Sequence, residues 1–131
     1  MVNGGPRLLR DGRPQITACA EGFCYSETGR FYWRFGVRRN PRTMAGTTGN
    51  GDVLLVAVDG HEQGHSVGLS FPEEAALMRA LGATQAVNLD GGGSTTLVSG
   101  GQVVNVPSDA TGERAIGDAV LLFGAARQTS H

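Results

Sequence analysis

The segment SFPEEAALMRALG, residues 70–82, followed by the strand-like QAVNLD of residues 85–90, decides the fold class. Ser70 and Glu73 have the spacing of a capping box, in which two side chains satisfy backbone N–H groups of a helix's first turn. Apolar residues then recur at helical spacing, and Gly82 suits the left-handed conformation that commonly ends a helix. The pattern predicts a helix over about residues 70–81, packed on a sheet.

Most of the remaining chain has strand patterns. Residues 43–48 and 53–58 flank Gly49-Asn50-Gly51-Asp52, a strong hairpin signal. The second of these strands is apolar on both faces, which predicts a place at the centre of a covered sheet. Period-2 alternation or short apolar runs predict further strands at residues 8–13, 30–37, 85–89, 94–98, 103–106 and 118–123. We therefore expect an α+β fold, a mixed sheet with one well-defined helix.

Size and charge limit the function classes. The 131 residues fit one domain over residues 1–124, with residues 125–131 as a flexible tail. A formal net charge of -1 gives no global field that would favour nucleic acid. No apolar run is long enough for a membrane span, and the first residues lack the features of a signal peptide, so the localisation stays open.

Cys19 and Cys24 are the two cysteines of the chain. Their spacing allows a small disulfide loop, as in exported proteins, or two free thiols beside a strand. A zinc site is disfavoured because no second cysteine pair or matching histidine pair accompanies them.

The strongest chemical signal is VNLDGGGSTT, residues 87–96. Asn88 and Asp90 are two residues apart on a strand, so they share a face. Glycines can bring the backbone close to a ligand and can form a nest of N–H groups for an anion, to which hydroxyls would add donors. A tight turn alone would need only Asp-Gly. We expect ligand contacts from Gly91, Gly92, Gly93, Ser94 and Thr95.

Other polar segments are weaker signals. Asp59 ends a second apolar strand before a glycine, so two carboxylates could share one cleft. The basic segment Arg38-Arg39-Asn40-Pro41-Arg42-Thr43 offers arginines whose donors match phosphate oxygens, although such a basic turn is more often only solvated. His65 stands alone, and a lone histidine is more often structural. A further loop, residues 105–114, mixes turn formers with the adjacent charges of Glu113 and Arg114.

Taken together, these segments resemble the phosphodiester glycosidase family, which includes an uncovering enzyme acting on N-acetylglucosamine and bacterial exopolysaccharide-related proteins. The matching stretches lie in the family's order between residues 40 and 123, and LDGGGSTT is the most specific of them. The resemblance implies a glycosidase that cuts a sugar from a sugar 1-phosphodiester or a phosphorylated glycan, and it suggests an exported protein.

The resemblance also implies roles for residues. Asp90, Asp59 and Glu113 are the expected catalytic carboxylates, with Asp90 assisting the attack of water. A Ca²⁺ ion could bridge Asp59 or Asp90 to phosphate. The expected ligands of the substrate and its phosphate are Arg42, Arg114, Asn88, Gly91, Gly92, Gly93, Ser94, Thr95, Asn105, Ser108 and Asp109.

The chain also departs from the family pattern. An upstream family segment with an aromatic pair is represented at best by Asn3-Gly4-Gly5-Pro6, and a full family domain is longer. The chain is thus expected to be the C-terminal part of such a domain. It could assemble as a homo-oligomer or with a missing N-terminal half. The alternative function is a non-catalytic carbohydrate or cell-wall-binding module, while a nucleotide site is disfavoured because no Gly-Lys-Ser/Thr follows the glycines.

Overall fold

The fold is a five-stranded antiparallel sheet with one helix packed on it, which confirms the α+β class. The computed structural model describes residues 2–25 and 29–124. In chain order the elements are β1 (Gly4–Arg10), β2 (Arg13–Pro14), α1 (Gly29–Tyr32), a π-helical turn (Trp33–Val37), β3 (Arg42–Thr48), β4 (Val53–Val58), α2 (Phe71–Ala80), β5 (Ala83–Leu89), a 3-10 turn (Gly92–Ser94), β6 (Val98–Ser99) and β7 (Gln102–Val103). The sheet order is β2-β1-β5-β3-β4.

Helix α2 covers one face of the sheet, as the capping box and apolar spacing predict. Glu73 accepts hydrogen bonds from the backbone N–H and the hydroxyl of Ser70, both at 2.9 Å. Gly82 follows with φ +90°. Gly46 of β3 leaves the room that Met78 needs, since a Cβ there would lie 2.7 Å from its methyl carbon. The buried core consists of Leu8, Leu9, Ala18, Met44, Phe71, Ala75, Met78, Ala83 and Ala86.

Residues 30–37 are helical, so the strand predicted for them is wrong. Phe31 and Phe35 lie four residues apart, and on a helix this spacing brings side chains together. Their ring centroids are 5.1 Å apart, and Phe35 also contacts Phe71 edge to face at 5.8 Å. Alternating aromatic and basic residues fit a strand equally well in isolation, and the aromatic contacts with the core select the helix.

Strand β4 forms an edge of the sheet. The prediction that residues 53–58 lie at the centre of a covered sheet is therefore wrong. Its side chains at Leu54, Val56 and Val58 pack against the core below α2. On the opposite face Leu55 is partly exposed, and Val53 is largely exposed. The register of β3 and β4 confirms the hairpin over residues 43–58.

The C-terminal segment differs most from its sequence pattern. Residues 118–123 form no strand, and Leu122 and Phe123 are 78% and 86% exposed, so the predicted buried strand is wrong. Within the described residues, this apolar run pairs with no strand of either sheet. The hairpin predicted for residues 94–98 and 103–106 shrinks to β6 and β7, which meet through the predicted Gly100-Gly101 turn.

Cys19 and Cys24 form a disulfide in the structure. The helices of the described chain are all too short to cross a membrane. The predicted tail, residues 125–131, lies outside the described residues, and the homo-oligomer or missing N-terminal half stays a prediction.

Candidate active site

The two strand-end carboxylates lie at the same end of the sheet. β4 and β5 both pair antiparallel with β3, which lies between them, and the register places Val58 opposite Arg42 and Asn88 opposite Met44. Asp59 and Asp90 therefore follow their strands on either side of the beginning of β3. Two strand spacings put their Cα atoms about 10 Å apart. This sheet end is the candidate site.

The glycine turn after Asp90 is tied to the chain that precedes β3. The N–H of Gly92 donates to the Pro41 carbonyl at 2.9 Å, and the N–H of Gly91 donates to the Asp90 carboxylate at 3.0 Å. Ser94 and Thr95 donate back to carbonyls within the turn. These four N–H groups are therefore engaged internally, and the expected anion nest does not form in the structure.

An exposed ion pair lies directly on the glycine turn. Arg114 donates from Nε to Asp109 Oδ2 at 2.8 Å and from Nη2 to Oδ1 at 3.1 Å. Both side-chain ends occupy the space that a Cβ on Gly93 would need, so glycine is required at this close approach. Asp109 raises the pKa of Arg114, and the charge of Asp90 adds to that rise. The structure thus brings Asp90, Gly93, Asp109 and Arg114 together.

A small cavity of about 120 Å³ lies next to the turn. Asp90 and Ser94 line it together with Thr43 and Asp118, so it presents carboxylates and hydroxyls near the sheet end. Asp118 also accepts a hydrogen bond from the Asn3 N–H at 2.8 Å. Thr95 itself is buried, and its hydroxyl lies 3.5 Å from that of Thr43.

Asp59 is the centre of a second hydrogen-bond network. Its Oδ1 accepts from Asn105 Nδ2 at 3.1 Å and from the Val106 N–H at 2.9 Å, and His65 Nε2 lies 2.9 Å from Oδ2. Asn105 also donates to the Thr95 carbonyl at 3.0 Å. Burial alone would raise the pKa of Asp59, but the hydrogen bonds from His65, Val106 and Asn105 hold it below its ordinary value.

Arg42 lies in the core, and the expectation that it binds phosphate is not met in the structure. Its side chain is 0% exposed and is sandwiched between the rings of Phe35 and Phe71, at 4.8 and 4.7 Å from their centroids. The register of β3 puts Arg42 on the same face as Met44, towards α2. Its donors bond the carbonyls of Leu69, Phe35 and Arg38.

Glu74 of α2 is the buried acidic neighbour of Arg42. The two approach to 2.9 Å between Nε and Oε1, and both side chains are 0% exposed. The single hydrogen on Nε is directed at the Leu69 carbonyl, and in the described chain neither Glu74 oxygen accepts a hydrogen bond. Burial therefore outweighs the attraction of Arg42 and raises the pKa of Glu74 to about 8.

The remaining predicted residues divide between the core and the loop. Asn88 is buried and donates to the Gly5 carbonyl at 2.7 Å, so it is not brought to the site surface. Ser108 and Glu113 lie in the 105–114 loop, with Glu113 exposed. Within residues 2–25 and 29–124, no three side chains of the metal-binding types gather at one point. The Ca²⁺ ion stays a prediction.

Comparison with known proteins identifies the family of the chain. Residues 1–123 match the family profile described as phosphodiester glycosidase. The chain belongs to this family. It is 34% identical over 111 residues to the mouse N-acetylglucosamine-1-phosphodiester alpha-N-acetylglucosaminidase, a match that covers 83% of this chain and 21% of the mouse protein. The human protein of the same name is 33% identical over 114 residues, covering 83% and 21%.

Solved structures agree with this family assignment. A Burkholderia pseudomallei protein described as exported superposes with a TM-score of 0.78 at 46% identity, covering 86% of this chain and 23% of that one. The zebrafish N-acetylglucosamine-1-phosphodiester alpha-N-acetylglucosaminidase catalytic domain, auto-inhibited by its pro-peptide, gives a TM-score of 0.67 at 30% identity, covering 81% and 34%. The chain spans about a fifth of the length of the curated relatives it matches.

From the sequence, no site role was assigned to three residues that lie at this sheet end. Thr43 and Asp118 line the cavity beside Asp90, and His65 contacts Asp59. Thr43 could have been found, because alternation along β3 turns it away from the buried Met44. Asp118 offered no signal of its own, since it opened a segment that reads as a buried strand.

Proposed function

We propose that the chain supplies the glycine-turn part of an enzyme that hydrolyses a sugar 1-phosphodiester, with Asp90 assisting water and Arg114 binding phosphate. The observation that supports this most is the gathering of Asp90 and the Asp109–Arg114 pair on Gly93. The family assignment supplies the reaction class. The names of the mammalian and zebrafish relatives favour N-acetylglucosamine as the sugar.

The chemistry of the bond explains why one carboxylate and one arginine suit the task. Water attacks C1 of the sugar while the bond from C1 to the phosphate oxygen breaks, and its electron pair leaves with a phosphomonoester. The second pKa of a phosphomonoester is about 6, so the leaving group needs little proton donation. It needs cationic hydrogen-bond donors, and the proton released by water needs an acceptor.

Arg114 fits the phosphate role better than Arg42. Asp109 engages two of the five N–H donors that a guanidinium carries, so three remain for a ligand. Its side chain is 46% exposed, whereas that of Arg42 is 0% exposed. Ser94, with its hydroxyl beside the Asp90 cavity, is the second candidate donor.

Asp90 fits the role of the base for water. It is exposed at the sheet end, and its Oδ1 accepts a hydrogen bond from the Gly91 N–H. Asp59 is less exposed and carries three hydrogen bonds. The catalytic role of Glu113 stays a prediction, as does an exported location, which the Burkholderia relative favours.

The test is turnover of the methyl phosphodiester of N-acetylglucosamine 1-phosphate by the purified protein and its Asp90→Asn variant. We expect the variant to lose about 10²-fold or more in kcat, the scale of a positioned base. Asp52→Asn, a carboxylate beyond the opposite end of β4, is the matched control and should keep wild-type turnover. Equal turnover in the wild type and Asp90→Asn would reject the assignment.

The alternative is a carbohydrate or cell-wall-binding module without chemistry. It is favoured by one observation, the internal hydrogen bonds of the N–H groups of Gly91, Gly92, Ser94 and Thr95, which leave them unavailable to a departing phosphate. Titration calorimetry with the same phosphodiester separates the two functions. Binding without release of sugar supports the module, while binding with release supports the enzyme.

A further inference from the structure

The loop that carries Arg114 has few anchors of its own. Residues 105–114 contain neither helix nor strand, and Arg114 and Glu113 are exposed. Within the loop, the Gly112 N–H donates to the Asp109 carbonyl at 2.8 Å, which closes a turn around the ion pair. A segment of this kind needs contacts to the rigid part of the fold if its arginine is to stay in one place.

Asp59 provides these contacts at the start of the loop. Its position just after β4 makes it part of the sheet end, and one of its oxygens accepts hydrogen bonds from both Asn105 and Val106. Asn105 extends the connection, because it also donates to the Thr95 carbonyl of the glycine turn and accepts from the Leu97 N–H at 2.7 Å. Three residues beyond Val106 the chain reaches Asp109.

The carboxylate of Asp59 has little capacity left for a substrate. An ionised carboxylate offers about four acceptor positions, and His65, Asn105 and Val106 occupy three of them. The side chain is 15% exposed, and the half-exposed ring of His65 contacts its Oδ2. This differs from Asp90, which is exposed beside a cavity.

We infer that Asp59 is a positioning residue that holds the 105–114 loop against the glycine turn, so that Arg114 stays beside Asp90. The inference rests on the proposed function and deepens it. It replaces the role of second catalytic carboxylate that the sequence predicts for Asp59. His65 holds the other oxygen of Asp59 in place.

The two roles predict opposite results for Asp59→Asn. The amide oxygen of asparagine can still accept from Asn105 and Val106, while its NH₂ group faces His65 Nε2, which accepts in its other tautomer. A positioning residue therefore tolerates the change, with kcat/KM within about 3-fold of wild type. A catalytic carboxylate would lose about 10²-fold, as expected for Asp90→Asn.

Asp59→Ala removes the anchor itself. We expect kcat/KM to fall about 10²-fold, because a shift of about 1 Å in a positioned group has effects of that size. In an Arg114→Ala background the same change should cost less than about 3-fold, since the two changes remove one function. If Asp59→Ala does not fold, Asn105→Ala takes its place with the same expected coupling. Asp52→Ala is the control.

Amide hydrogen exchange gives a readout that does not depend on turnover. The Val106 N–H should be protected in the wild type and in Asp59→Asn, and exchange faster in Asp59→Ala. Asp59→Asn losing as much activity as Asp90→Asn, additive effects of Asp59→Ala and Arg114→Ala, or unchanged Val106 exchange in Asp59→Ala would each overturn the inference. Wild-type turnover in both Asp90→Asn and Arg114→Ala would instead reject the proposed function and leave the anchoring result standing.

Discussion

Two arginine–carboxylate pairs of this chain have opposite environments. Arg42 and Glu74 are both 0% exposed between the sheet and α2, and the guanidinium bonds backbone carbonyls. Arg114 and Asp109 are 46% and 35% exposed on the glycine turn, and the arginine donates from Nε and Nη2 to the two carboxylate oxygens. The first pair organises the core around two aromatic rings, while the second lies where a substrate can reach it.

The difference shows that an arginine in a family motif need not be a ligand. Both arginines stand in segments that resemble the phosphodiester glycosidase pattern, and both were expected to bind phosphate. Burying a charge without full pairing is costly, so Arg42 is expected to matter for stability. An exposed pair contributes little to stability, so its geometry has to be explained by something else.

The largest expected effect is on the stability of the buried pair. Arg42→Met should lower the free energy of unfolding by about 3–5 kcal/mol, because three carbonyls lose their donor and the buried carboxyl of Glu74 loses its neighbour. The matched Arg114→Met should leave the free energy of unfolding almost unchanged, because an exposed pair contributes little to stability. Urea unfolding followed by circular dichroism measures both. Similar losses for the two variants would remove the distinction between the pairs.

A second test uses the titration of Glu74. Its pKa rises from 4.5 to about 8 on folding, so the folded protein holds this proton more tightly than the unfolded chain. Its contribution to stability is complete below pH 4.5 and is lost as the pH rises through about 8. The free energy of unfolding should therefore fall over this range more steeply in the wild type than in Glu74→Gln.

Urea unfolding of both proteins at acid, neutral and mildly alkaline pH checks this expectation. Glu73, whose pKa is lowered to about 2, loses its proton at much lower pH and does not interfere. A constant difference between wild type and variant across the range would mean that Glu74 stays ionised beside Arg42.

The helix and the central hairpin could be predicted because their signals are local. The capping box and Gly82 set the limits of α2, and the Gly-Asn-Gly-Asp turn sets the β3–β4 hairpin. The segment at residues 30–37 could not, because its helix depends on contacts of Phe35 with Phe71. The prediction of a strand at residues 118–123 was wrong because a strand needs a neighbouring strand to pair with, and a local sequence pattern does not reveal one.

In the candidate site, the positions of the strand ends could be predicted from the sequence, whereas the side-chain contacts could not. Asp59 and Asp90 were expected in one cleft, and the register brings them to one sheet end. Their different surroundings could not be predicted, because the hydrogen bonds to Asp59 come from a distant loop, in which Asn105 lies 46 residues further along the chain. The burial of Arg42 was readable in principle, since Arg42, Met44 and Gly46 alternate onto the face that meets α2.

The most direct test of the central claim is the kinetics of Arg114→Lys with the methyl phosphodiester of N-acetylglucosamine 1-phosphate. Lysine keeps the charge and loses the fork, so we expect kcat/KM to fall about 10-fold, the value of one charge-assisted hydrogen bond, while urea unfolding is unchanged. An unchanged kcat/KM with this substrate would contradict the claim that Arg114 on the glycine turn binds the phosphate.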